Sequence, residues 1–126
     1  MRDKVFQNAD FLNISSILKK YPYEISGGEK QRTAIARALV NDPQIIFGDE
    51  PTGNLDSATT TSIMNYLDDI NTIKGKALVI VTHDALVASY CKRIIFIKDG
   101  RIEKTIENGL SKEENVRRIT DIMLNL

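Results

Sequence analysis

The chain has 126 residues, in which seventeen basic side chains balance seventeen acidic ones. This length suits one domain or part of one, and 42% hydrophobic with 27% charged residues is ordinary for a globular protein. The neutral balance gives no reason to expect a nucleic-acid partner. The longest apolar run, Ala77–Val81, is far shorter than the roughly 20 residues of a membrane span. The single Cys91 excludes an internal disulfide, fits a reducing cytosol and is expected to be a small buried residue.

Hydrophobic periodicity and turn residues predict alternating helices and strands. Ser26 and Glu29 form an S-x-x-E capping box, which predicts that the clearest helix begins at Ser26. Ser111 and Glu114 repeat this box near the end of the chain, and Asp99-Gly100 indicates a hairpin turn. The predicted elements are, in chain order, a helix at 3–13, a helical turn at 15–20, a helix at 26–40, a buried strand at 44–48, a helix at 57–70, a second buried strand at 77–82, a short helix at 85–91, two antiparallel strands at 94–97 and 101–106, and a last helix after 111.

The order strand, helix, strand, helix, strand predicts an α/β fold with a mostly parallel sheet, in which ligands bind at the carboxyl ends of the strands. Asp49 and Glu50 end the first strand, and His83 follows the second. Asp49 could hold magnesium through its water shell, and Glu50 could orient and polarise an attacking water. The residues alone leave open a solvated acidic loop and a structural histidine.

Two glycines, Gly27 and Gly28, open the helix that Ser26 caps. Without side chains they leave backbone N–H groups approachable, and the helix dipole adds partial positive charge, so the helix start suits a phosphate oxygen. A plain helix cap preceded by a turn explains the same residues equally well.

The motifs, in this order, closely resemble those of the ABC-type ATPases over residues 20–103. The phrase Asp49–Asp56 is typical of the subgroup that exports peptides, lipoproteins or macrolides, and Tyr21–Glu24 looks most like its bacitracin-type antimicrobial-peptide branch. The matching segments are the signature motif at Ile25–Arg32, the Walker B strand with the catalytic glutamate at Ile45–Glu50, the D-loop at Gly53–Asp56, and the switch histidine at His83.

The resemblance implies a P-loop NTPase-like fold in which two ATPase subunits, identical or different, close head to tail around two ATP molecules. This pair would drive a membrane permease from the cytoplasmic face of the membrane, where the protein would be peripheral. The implied roles are contact with the partner's ATP for Ser26, Gly27, Gly28 and Glu29, magnesium binding for Asp49, catalysis for Glu50 and His83, and a link between the two sites for Asp56.

Two departures from the family pattern carry expectations of their own. Glu29 replaces the usual Gln, and because its charge would repel phosphate, its side chain is expected to cap the helix instead. No G-x-x-x-x-G-K-[ST] phosphate-binding motif occurs. The chain is therefore expected to be the C-terminal half of an ATPase domain, inactive and marginally stable by itself. Residues 1–20 would end the helical subdomain, 21–106 would form half of the core, and 107–126 would add a C-terminal helix.

Two other functions remain open at this stage. A non-transport ABC ATPase of the DNA-repair or chromosome-maintenance type would share the motifs. Such proteins usually carry long coiled-coil arms, and this sequence contains no sustained heptad repeat that would predict them. A non-catalytic remnant would bind a partner without hydrolysing ATP.

Overall fold

The computed structural model describes residues 2–18, 20–21 and 25–126, and the chain divides into two compact units, Met1–Val81 and Thr82–Leu126. Each predicted element has a counterpart, although the predicted turn at 15–20 and the Tyr21–Glu24 motif include residues 19 and 22–24, which lie outside the described residues. The first unit contains helix α1 (Arg2–Phe11), a 3₁₀ turn (Ser15–Ile17), helix α2 (Gly27–Leu39), strand β1 (Ile45–Asp49), helix α3 (Ser57–Thr72) and strand β2 (Ala77–Val81). The second unit contains helix α4 (Ala85–Ala88), strands β3 (Arg93–Lys98) and β4 (Arg101–Glu107), and helix α5 (Lys112–Leu124).

Strands β1 and β2 form a parallel pair joined through α3. Their register runs from Ile45 opposite Ala77 to Asp49 opposite Val81, so both strands end at the same level. The backbone N–H of Glu50 donates to the carbonyl oxygen of Val81 at 2.8 Å, which extends the pairing by one residue. This shared end is the edge at which the sequence places its acidic pair.

The apolar runs at 44–48 and 77–82 each predict a buried strand, and this prediction is wrong for the chain by itself. Ile46 is buried, whereas Phe47 is 76% exposed and Val81 on the neighbouring strand is 61% exposed. Continuous apolar strands are typical of sheets covered on both faces. In the described residues, alternate apolar side chains of both strands are exposed, so one face of the parallel pair is in contact with solvent.

Helix α3 buries one side, as its periodicity predicts. Ile63, Leu67 and Ile70 are buried, and Met64 joins them. Gly75 has a φ of +68°, a left-handed conformation that glycine adopts at little cost, and it separates α3 from β2. The two parallel strands are therefore connected in sequence by an amphipathic helix.

The second unit is a hairpin packed against α5. Strands β3 and β4 pair antiparallel, and the turn between them has positive φ at both Asp99 and Gly100, as a type I′ turn requires. The strand predicted at 94–97 thus belongs to this hairpin. The buried core of the unit consists of Ile94, Phe96, Ile106 and Ile119.

Cys91 packs against this core and is partly buried, in agreement with the expected structural role. Burial raises the pKa of its thiol. The molecule is thus α/β with two small sheets, and none of the helices in the described ranges could span a bilayer.

Candidate functional site

The start of α2 is closed by a complete capping box. The Ser26 hydroxyl accepts a hydrogen bond from the backbone N–H of Glu29 at 3.1 Å, and the Glu29 carboxylate accepts one from the backbone N–H of Ser26 at 3.0 Å. The latter bond lowers the pKa of Glu29. The expectation that Glu29 turns back to cap its own helix is confirmed.

The two glycines at this helix start lie against the segment that leads into α3. A Cβ atom built on Gly28 would stand 2.6 Å from Thr59 Cγ2, and one built on Gly27 would stand 3.1 Å from Leu55 Cδ2. Real Cβ contacts essentially never reach 2.6 Å, so position 28 has no room for a side chain. Packing against the segment that leads into α3 is therefore a reason for these glycines, and the approach of a phosphate stays a prediction.

Glu50 stands at the end of β1 with an uncommon backbone conformation. Its φ of +47° lies in the left-handed region, which few residues other than glycine adopt and which is enriched at functional sites. Two hydrogen bonds hold it there: its N–H donates to Val81, and its carbonyl accepts from the Gly53 N–H at 3.0 Å. The direction in which the half-buried Glu50 projects is thus set by the backbone at the sheet edge.

Asp49 precedes Glu50 as the last residue of β1, and its side chain is exposed. Among the described residues, no three His, Cys, Asp or Glu side chains form a group that could hold a metal ion. Magnesium in nucleotide sites is commonly held by one or two carboxylates together with substrate phosphates and water. A single accessible carboxylate at a strand end fits that kind of binding.

Asp56 forms the N-cap of α3. Its carboxylate accepts a hydrogen bond from the Thr59 N–H at 2.7 Å, and this bond lowers the pKa of Asp56. Asn54, two residues earlier, has a φ of +64°. The hydrogen bond between Asp56 and Thr59 thus fixes the end of this loop to the first turn of α3.

His83 is exposed and lies two residues beyond the end of β2, in the unit Thr82–Leu126. Its neighbour Asp84 caps α4 by accepting from the Leu86 N–H at 2.8 Å, and the Asp84 N–H donates to the Thr82 hydroxyl at 3.1 Å. The parallel register brings together the chain ends of β1 and β2 at Asp49 and Val81. That His83 acts with Asp49 and Glu50 at one site stays a prediction.

The sequence did not predict that Leu55 of the D-loop and Thr59 of α3 pack behind the helix start. The signal available was the pair of glycines itself, because glycine at a helix start often marks a close approach by another backbone, side chain or ligand. Nothing in the spacing identifies which residue makes that approach.

Comparison with known proteins identifies the class of this fold. The ATP-binding cassette MJ0796 of Methanocaldococcus jannaschii, solved as a dimer with ADP and Pi, superimposes with a TM-score of 0.73 at 40% identity, over 86% of this chain and 47% of that one. The fold is therefore that of the P-loop NTPases of the ABC type, present in part.

Sequence relatives give the family. Residues 1–53 match the family model described as ABC transporter. The chain is 45% identical over 123 residues to the ABC transporter ATP-binding protein YvcR of Bacillus subtilis, which is 98% of this chain and 48% of the relative. It is 49% identical over 107 residues to the bacitracin export ATP-binding protein BceA of Halalkalibacterium halodurans, which is 85% of this chain and 42% of the relative. By fold and by sequence the chain corresponds to part of an ABC transporter ATP-binding domain, and it spans about half the length of the curated relatives it matches.

Proposed function

We propose that this chain supplies the ATP-contacting and water-activating half of an ATPase domain that drives export of a peptide, lipoprotein or drug through a membrane permease. The observation that carries the proposal is the left-handed Glu50, held by two backbone hydrogen bonds where β1 and β2 end in register. The relatives named for bacitracin export, macrolide export and lipoprotein release support the transported class. The phosphate-binding loop would come from the half of the domain that this sequence does not contain.

We expect Asp49, Glu50 and His83 to divide the chemistry. When bound, magnesium would neutralise charge on the phosphates. Asp49 is accessible and would hold the ion through its water shell. Glu50 would orient the attacking water and accept its proton, and His83 would donate a hydrogen bond to the γ-phosphate.

The start of α2 would act on ATP held by a second ATPase subunit, the same or a different chain. Gly27 is exposed beside Ser26, and the helix dipole favours an anion there. Because Glu29 folds back onto the Ser26 N–H, its charge is engaged by its own helix. Asp56 would reach across the dimer, and the pair would dock on its permease at the cytoplasmic face of the membrane.

The test is Glu50→Gln in a full-length domain that contains this segment and its P-loop half. We expect steady-state ATP hydrolysis to fall by about 10²–10⁴-fold, because an amide cannot accept the proton of the attacking water. Binding of ATP should be retained, since the amide keeps the size of the side chain. Glu103→Gln on exposed β4 is the matched control and should hydrolyse ATP at the unsubstituted rate.

Unchanged turnover in the Glu50→Gln domain would remove Glu50 from the reaction. A full-length domain that binds ATP but never hydrolyses it, with Glu50 intact, would instead support a non-catalytic remnant. Two measurements distinguish these outcomes, the rate of phosphate release and the binding of ATP.

A further inference from the structure

We propose that Thr59 is a positioning residue that sets the signature helix start against the D-loop, so that the segment proposed to contact ATP and the segment proposed to link the two sites move together. The inference rests on the proposed function of Ser26–Gly28 and of Asp56. It adds a residue outside both motifs that determines where each of them stands.

The contact between α2 and α3 is tightest at Gly28. Gly28 is buried, and the methyl group of Thr59 occupies the space where a side chain at position 28 would begin. Since a Cβ atom at this position would stand 2.6 Å from that methyl group, a side chain here would require either Thr59 or the two helices to shift. Thr59 therefore fixes how closely the two helices approach.

Thr59 also holds the D-loop through its backbone. Its N–H donates to the Asp56 carboxylate at 2.7 Å, so one residue contacts Gly28 with its side chain and Asp56 with its main chain. Leu55, which precedes Asp56, lies against Gly27 at 3.1 Å from the position of a Cβ atom there. The two segments thus touch at two successive positions of α2.

A third contact continues the pairing along both helices. The guanidinium of Arg32 lies over the ring of Tyr66, 5.9 Å from its centre, and Arg32 Nη1 stands 3.8 Å from the Cβ position of Gly28. Arg32 is four residues after Gly28, and Tyr66 is seven after Thr59, so the contact lies further along both helices. A shift of the D-loop would therefore carry the start of α2 with it.

The test is a rescue experiment in the full-length domain. Gly28→Ala adds a methyl group that collides with Thr59 Cγ2, and we expect the kcat for ATP hydrolysis to fall by about tenfold. ATP binding to the P-loop half should be unchanged, because the displaced helix start contacts the nucleotide of the other subunit. Adding Thr59→Ser removes the colliding methyl group and should restore most of the kcat.

The matched control is Gly28→Ala combined with Thr61→Ser, the same deletion at an exposed position of α3. This pair should remain as slow as Gly28→Ala alone. If Gly28→Ala also destabilises the domain, we expect Thr59→Ser, and not Thr61→Ser, to restore its melting temperature. A kcat equally low in both double variants would show that the ligand, not Thr59, excludes a side chain at position 28, and the inference would be wrong. Hydrolysis by the unsubstituted domain and its loss in Glu50→Gln would then still support the proposed function.

Discussion

Helices α2 and α5 begin with the same capping box and differ in the two residues just inside it. Ser26 and Ser111 each accept a hydrogen bond from the N–H of a glutamate three residues later, at 3.1 Å and 3.3 Å, and the carboxylate of each glutamate accepts one from the serine N–H. The next two residues are Gly27 and Gly28 in α2 but two charged, exposed residues in α5. Two helix starts of equal local geometry therefore present different surfaces.

The difference lies in the contacts that each start makes. In α2, Gly28 is buried beneath Thr59, and the helix start has no side chain beyond its cap. In α5, Lys112 extends over the ring of Tyr90 at 3.5 Å, and Glu113 is exposed. A capping box thus marks where a helix begins, whereas the residues just inside it decide whether a ligand can approach.

Exchanging the two residues just inside the caps of α2 and α5 should give the largest change in ATP hydrolysis. In the full-length domain, Gly27→Lys with Gly28→Glu gives α2 the start of α5, and we expect hydrolysis to fall by about 10²-fold or more. The cause is the lack of room at position 28 and a long side chain in place of the exposed Gly27, where we expect a phosphate to approach. The reverse change, Lys112→Gly with Glu113→Gly, should cost up to about 1 kcal/mol of stability per residue and leave hydrolysis per folded molecule unchanged. Hydrolysis that survives the first exchange would contradict the functional difference between the two starts.

Removing the capping serine of either helix should change stability and ATP hydrolysis less, and it tests whether the two helix starts differ in function as well as in stability. Ser26→Ala and Ser111→Ala should each lower the free energy of unfolding by about 1 kcal/mol, because each leaves a helix N–H without its acceptor. Only Ser26→Ala should also slow hydrolysis. The measurement pairs denaturant unfolding with ATP turnover, and Ser→Thr at both positions keeps the hydroxyl as a control. Equal slowing by both alanine variants would mean that the cap acts through stability alone.

Local patterns in the sequence were enough to predict the helix starts and the hairpin. The capping boxes at Ser26 and Ser111 and the Asp99-Gly100 turn depend on residues within four positions of one another, and all three are confirmed. The packing of Thr59 on Gly28 joins positions 31 residues apart, and no local rule indicates it. The left-handed φ of Glu50 likewise depends on its hydrogen bond to Val81 on another strand.

Burial of the parallel strands depends on neighbouring elements that a local apolar pattern does not identify. The apolar run around Phe47 indicates a strand meant for two covered faces, yet Phe47 and Val81 are exposed. The hairpin unit, by contrast, buries Phe96 and Ile119 in a core of its own. Exposed apolar strands support the expectation of marginal stability for residues 1–126 alone, which stays a prediction.

We propose that the start of α2 contacts the ATP bound by the other subunit. Mixing two inactive full-length domains tests this most directly. One carries Glu50→Gln, and the other carries Gly27→Lys with Gly28→Glu. In a head-to-tail homodimer, each mixed pair contains one site with the native Glu50 of one subunit and the native helix start of the other. We expect mixing to restore hydrolysis to as much as about a quarter of the unsubstituted rate, since half of the dimers are mixed and each has one complete site. A mixture no more active than its two components would show that the helix start does not serve the other subunit's ATP.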